Sequence, residues 1–252
     1  MPTILSSYKQ LLDKKVIQFD EEQNSNVQIL NKLFRQRNFI LDKIKKLILK
    51  NKDPKGVYLW GSAGSGKTML MDICYSSSEV SKKNRIHFQE FMIDIHNRLH
   101  GIRKNSSIGD PLNIVAKEIS NEIQFLCFDE FQVNDIADAS ILYKLFNLLL
   151  EQGTFIFATS NIIPKELYKD GLQRERFIPF IKLIENNFLN LELSTDKDYR
   201  KDRLQNLNTY FSSLTEETNN ELDSLFSKLS NGSSLDRREL LVKGRKINVD
   251  NH

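Results

Sequence analysis

Only two cysteines occur in the chain, Cys74 and Cys127, each inside an apolar segment and neither in a CxxC pair. That argues against a disulfide framework or a thiolate metal cluster, and both are read as packing residues. No unbroken apolar stretch approaches the roughly 20 residues needed to cross a bilayer, since the longest candidate, 141–150, contains Lys144 and Asn147. The amino terminus has no signal-peptide hydrophobic block, and no arginine precedes Arg35, which makes a poor mitochondrial presequence. The expectation is a cytoplasmic protein. One-sided charge is missing too: 36 Lys and Arg against 33 Asp and Glu leave a net charge of +3, too little to imply a nucleic-acid partner.

What is present is ordinary globular composition: 252 residues, 40% hydrophobic and 27% charged. A chain of that length buries on the order of 70% of its unfolded surface. Residues 7–50 carry apolar positions at helical spacing, Val27, Leu30 and Phe34, then Ile40, Ile44, Leu47 and Ile48. The turn signal Asp53-Pro54-Lys55-Gly56 leads into an apolar run, Val57 to Trp60, of the kind that forms a buried strand. Further strands are expected at 85–88, 125–128, 155–159 and 188–193. Between them, helix 88–100 aligns Phe88, Phe91, Met92, Ile95 and Leu99, and helix 135–150 aligns Ile136, Ala139, Tyr143, Phe146 and Leu150. Strands alternating with helices predict an α/β domain with a largely parallel sheet and ligands at the strands' carboxyl ends. The expected divisions are an amphipathic helical segment 1–52, a core 53–195, and a region 196–252 with polar helices at 198–207 and 217–229 and a final strand-like stretch at 239–249.

Gly61-Ser62-Ala63-Gly64-Ser65-Gly66-Lys67-Thr68 matches G-x-x-x-x-G-K-[ST] in full, after a predicted strand and before a predicted helix. Glycines let such a loop curl so that backbone N–H groups converge on a phosphate, and the helix amino terminus adds partial positive charge. The pattern predicts ATP binding, with Lys67 on the β- and γ-phosphate oxygens and the Thr68 hydroxyl on Mg²⁺. The strand at 125–128 ends in Asp129-Glu130, a Walker B form. Asp129 is expected to hold the Mg²⁺ shell and Glu130, facing the other way, to act as the catalytic base. The strand at 155–159 terminates in Ser160-Asn161. Asn161 is a candidate sensor that positions water at the γ-phosphate, though Asn before a turn also serves conformation alone. Arg174 and Arg176 open a predicted helix, an unfavourable end for cations. Taken alone they fit either a solvated Arg-Glu-Arg surface or an arginine supplied to a neighbouring subunit. His96 and His100 lie one helical turn apart without a Glu or Cys to complete a metal set, and His87 is read as a strand-end packing residue.

Five blocks then align with a known family: GVYLWGSAGSGKTMLMD (56–72), RIHFQEFMIDIHNRLH (85–100), FLCFDEFQVNDIADASIL (125–142), FATSNIIPKELYKDGLQRERFIPFI (157–181) and DYR (198–200). Together they resemble the ZapE family of AAA+ ATPases, which includes the mitochondrial proteins named ATPase family gene one. The resemblance runs from about Tyr8 to Val249. It implies a P-loop NTPase with an AAA+ sheet of order 5-1-4-3-2 flanked by helices, a small mainly helical lid, and a ring, expected to be a hexamer, that hydrolyses ATP at subunit interfaces. It also places Arg174 and Arg176 in the segment resembling the family's arginine-finger region, with Arg200 a candidate nucleotide contact from the lid. Relatives continue beyond 244–249, so a partial lid is expected. The implied roles are remodelling of a protein partner, such as division-ring or membrane-inserted proteins, and a location peripheral to the inner membrane or division site. The competing readings are a DNA-binding loader, for which Lys43, Lys45, Lys46, Arg103 and Lys104 are the basic candidates, and a nucleotide-binding scaffold without turnover.

Overall fold

A computed structural model of the chain describes residues 3–36, 53–104, 109–193, 216–229, 237–242 and 245–250. The chain divides into two compact units, Met1–Tyr199 and Arg200–His252. In the first, helices α1 (Ile4–Asp13) and α2 (Glu21–Gln36) precede strand β1 (Gly56–Gly61) and helix α3 (Lys67–Ser77). Then come β2 (Lys83–His87), α4 (Phe88–Lys104), α5 (Pro111–Glu122), β3 (Phe125–Asp129), α6 (Ile136–Glu151), β4 (Phe155–Ser160), α7 (Ile178–Asn187) and β5 (Phe188–Leu193). The five strands pair in parallel in the order β2-β3-β4-β1-β5, which is the expected 5-1-4-3-2 sheet read from its other edge.

Strand alternation divides the core into two. Leu126, Phe128, Ile156, Ala158 and Tyr58 face one side, where α4, α5, α6 and α7 pack. Rings crowd there, with Phe88 and Phe131 centroids 4.2 Å apart, Phe91 and Phe128 4.7 Å, and Phe146 and Phe180 5.0 Å. Phe125, Cys127, Phe155, Phe157, Val57 and Leu59 face the other side, beneath α1, α2 and α3. Both cysteines are buried on this second face, where desolvation pushes their thiols up, away from thiolate chemistry. The helices begin where the sequence supplies acceptors: Thr3 caps α1, Asp110 caps α5 ahead of Pro111, and Asp135 caps α6.

Several expectations shift. Of the stripe expected on helix 135–150, Ala139, Phe146 and Leu150 are buried but Ile136 and Tyr143 are exposed, and α6 also buries Leu142, Leu145 and Leu149. The leucines lie next to that stripe and are richer in apolar area, so the buried face turns toward them and leaves Ile136 and Tyr143 outside. His87 is exposed at the end of β2, because the buried position there goes to Phe88, which starts α4. In the second unit, α8 (Glu216–Leu229) appears as expected, whereas 239–249 is two antiparallel strands, β6 (Arg237–Val242) and β7 (Arg245–Asp250). The predicted helix at 198–207, Arg200, the apolar positions Ile40, Ile44, Leu47 and Ile48, and the basic cluster at 43–46 lie outside the described residues.

Candidate nucleotide site

The carboxyl end of β1 runs directly into the glycine-bearing loop. Gly64 and Gly66 take φ values of 79° and 97°, a region that residues with a Cβ rarely enter. Gly66 is the N-cap of α3 and supplies no side-chain acceptor, so no cap side chain competes for the first-turn N–H groups. Lys67 is buried, and its Nζ donates to the carbonyls of Gly61 at 3.0 Å and Ser62 at 2.6 Å. The ammonium thus draws the loop in on itself at the place a phosphate would meet it. From outside, the buried Gln23 of α2 donates through Nε2 to the Ser65 carbonyl at 2.9 Å. A Cβ on Gly66 would come within 2.9 Å of that same nitrogen.

β3 lies two strands from β1, and its last residue, Asp129, is buried. Asp129 Oδ1 accepts from Thr68 Oγ1 at 3.0 Å and from Thr159 Oγ1 at 2.7 Å. Oδ2 accepts from Arg85 Nη2 at 2.9 Å, and Arg85 Nε pairs with Asp72 of α3, also at 2.9 Å. Burial raises the Asp72 carboxyl above the usual range, with Arg85 opposing that shift. This donor set fits Mg²⁺. By giving its proton to Asp129, the Thr68 hydroxyl keeps its lone pairs for a hard cation, and a carboxylate stands ready for the cation's waters. Among the described residues no cluster of three His, Cys, Asp or Glu forms a metal site of its own. His96 pairs with Asp138 at 2.7 Å.

Glu130 does not continue the strand, so simple alternation is not what orients it. It sits at φ 54°, exposed, between buried Asp129 and buried Phe131. Its N–H donates to Thr159 Oγ1 at 3.2 Å, and the next N–H, of Phe131, returns to the Thr159 carbonyl at 2.7 Å. The backbone kink therefore pushes one carboxylate outward between two anchored neighbours. Asn161 is exposed one residue past β4.

Arg174 and Arg176 occupy a short 3₁₀ turn, Arg174–Arg176, ahead of α7 rather than its first turn. Tyr168, Asp170 and Gln173 all take left-handed φ of 54°, 60° and 57° in the preceding stretch. Such backbone costs on the order of 1–3 kcal/mol per residue and persists only where packing enforces it. Here buried Tyr168 and Phe177 do so, with rings 5.3 Å apart. Arg174 Nη2 donates to the Lys165 carbonyl at 2.6 Å, its Nε is buried without a hydrogen-bond partner among the described residues, and Arg176 is exposed. Among the described residues neither arginine hydrogen-bonds to Asp129 or to the glycine-bearing loop.

Sequence reasoning missed Thr159, Arg85 and Gln23. Thr159 shares the parity of Phe155 and Phe157 on its strand, and Arg85 shares that of Lys83 and His87. Parity was therefore a usable signal once the strand order was known. Nothing in the sequence pointed to Gln23.

The sequence matches the family described as AFG1-like ATPase over residues 2–252. It is 40% identical over 207 residues to lactation elevated protein 1 homolog B of Danio rerio, covering 78% of this chain and 41% of that protein. It is 37% identical over 213 residues to the cell division protein ZapE of Escherichia coli K12, covering 82% of this chain and 56% of that protein. The chain thus spans about half the length of these relatives, 41% and 56%. Among solved structures, AMPPCP-bound DnaA from Aquifex aeolicus aligns at a TM-score of 0.49 and 14% identity, covering 86% of this chain and 64% of that one.

Proposed function

Since this chain belongs to the AFG1-like ATPase family, we propose that it binds ATP with Mg²⁺ and hydrolyses it to remodel a protein partner. The observation that carries this reading is the corner where Thr68 and Thr159 meet on one oxygen of buried Asp129, beside a loop curled at Gly64 and Gly66. In the proposed mechanism the N–H groups of Gly64, Ser65, Gly66 and Lys67 bind the β-phosphate. Lys67 exchanges its loop carbonyls for phosphate oxygens. Thr68 and Asp129 hold the Mg²⁺, which neutralises phosphate charge when bound. Glu130, displaced outward from the strand, takes a proton from the attacking water, and Asn161 helps to orient that water. Arg174 or Arg176 serves the γ-phosphate of a neighbouring copy in a ring, most simply a hexamer.

The turn's exposed Arg176 and its strained approach support the last assignment. The name of the Escherichia coli relative supports a partner in the division apparatus, with a cytoplasmic or membrane-peripheral location. Among the described residues no helix is long and apolar enough to cross a membrane.

Two substitutions test the chemistry together. Lys67→Ala is expected to abolish nucleotide binding. Glu130→Gln is expected to keep binding while phosphate release falls by about 10²-fold or more. Wild-type turnover in the Glu130→Gln protein would overturn the base assignment. A wild-type chain that binds nucleotide without releasing phosphate would favour the scaffold reading.

A further inference from the structure

Arg85 stands outside the nucleotide motifs, yet it makes the only contact described for the second oxygen of Asp129. The pairing follows from sheet register. On β2, Arg85 lies opposite Cys127 and His87 opposite Asp129, so Arg85 shares the α3-side face with Asp129 and its side chain reaches along the strand to Oδ2. The other end of the guanidinium is anchored by Asp72. Asp72 is one helical turn beyond Thr68 on α3 and therefore on the same helix face.

Two links thus join α3 to the end of β3: Thr68 to Asp129 directly, and Asp72 through Arg85 to the other oxygen of the same carboxylate. The first link is shared once the lone pairs of the Thr68 hydroxyl are given to a cation. The second does not involve Thr68 and can hold the carboxylate plane in place while that happens. The Asp129 side chain is 7% exposed, too enclosed for solvent to orient it, whereas Asp72 is 49% exposed and loses less by pairing. A forked guanidinium spans two carboxylates with separate nitrogens, which the point charge of a lysine does not reproduce.

We propose that Arg85 is a positioning residue for the metal: tethered by Asp72, it fixes the Asp129 carboxylate so that the nucleotide's Mg²⁺ is accepted without rearrangement. This rests on the reading that Thr68 and Asp129 hold Mg²⁺ beside a nucleotide. Outer contacts of this kind typically change metal affinity by about 10–100-fold when removed.

The test uses the whole 252-residue chain and a fluorescent N-methylanthraniloyl ATP, titrated first in EDTA and then with increasing MgCl₂. For Arg85→Lys and Arg85→Gln, the Mg²⁺ midpoint is expected to rise about tenfold while nucleotide affinity in EDTA stays within about twofold of wild type. Asp72→Asn, which leaves Arg85 in place but cuts its tether, should raise the midpoint by a smaller factor. It also carries the test if the Arg85 variants fail to fold. A midpoint lowered in Arg85→Gln and unchanged in Arg85→Lys would show that Arg85 acts only as a repelling charge, and would overturn the proposal. So would unchanged midpoints throughout, or equal losses with and without Mg²⁺. A wild-type chain that shows no Mg²⁺-dependent nucleotide signal would instead remove the underlying reading.

Discussion

At the end of β3 both oxygens of Asp129 are engaged, by Thr68, Thr159 and Arg85, and the carboxylate is buried. At the 3₁₀ turn before α7 the two arginines are left nearly unmatched. Arg174 spends one nitrogen on a backbone carbonyl and buries another without a partner among the described residues, and Arg176 faces outward. Leaving a buried donor unsatisfied costs about 1–3 kcal/mol, and left-handed backbone at Gln173 adds to it. The contrast separates chemistry that one chain completes from chemistry that, on the proposed reading, waits for a second. Preorganised contacts mark the first. Unspent donors on a strained scaffold mark the second.

The contrast breaks most visibly at the arginines. Arg174→Ala or Arg176→Ala is expected to lower phosphate release by about 10³-fold with nucleotide affinity close to wild type, the range for a finger acting on transferred phosphate. Mixing that variant with Lys67→Ala chains should restore part of the turnover, because each supplies what the other lacks. Absence of recovery in mixtures that still co-assemble would return the turn to an ordinary solvated surface. Thr159→Val comes next in size. It keeps the strand-forming shape but deprives Asp129 of its shortest contact and the Glu130 N–H of its acceptor. Unfolding in urea should register a loss of about 1–3 kcal/mol, and turnover should fall more than binding. The smallest effect belongs to Gln23→Ala, which removes the outer support of the Ser65 carbonyl. A loss of about 1 kcal/mol is expected, read as a lower melting temperature that saturating nucleotide partly restores. Equal sensitivity at Gln23 and Thr159 would mean that the loop, rather than the carboxylate, is the rigid element.

Much of this architecture was legible beforehand because its signals are local. Val57–Trp60, the strand ending at Asp129 and the strand ending at Ser160 are short apolar runs, each stopped by polar residues, and all three are strands with the expected order. The loop motif states its own chemistry, since glycines at fixed offsets are needed for the bend. What stayed hidden depends on two distant segments meeting. Arg85 means nothing until β2 is known to lie beside β3 in a given register. Gln23 looks like any polar helix residue until the loop, 42 positions later, closes beneath it. Alternation predicted that Glu130 would face away from Asp129, but a left-handed kink is what turns it out. The exposed Ile136 and Tyr143 show a different limit: where a helix is leucine-rich on several sides, periodicity alone does not choose the buried one.

The position of α2 against the loop has a practical side. Ile4, Tyr8, Val27 and Leu30 roof the same sheet face as Val57, Leu59, Leu70 and Cys74. A chain trimmed to start at Asp53 would keep the glycine-bearing loop, Asp129 and Glu130. It would nonetheless lay bare an oily flank and remove the brace from behind the bend, so the residues that bear the chemistry are fewer than those that keep it standing.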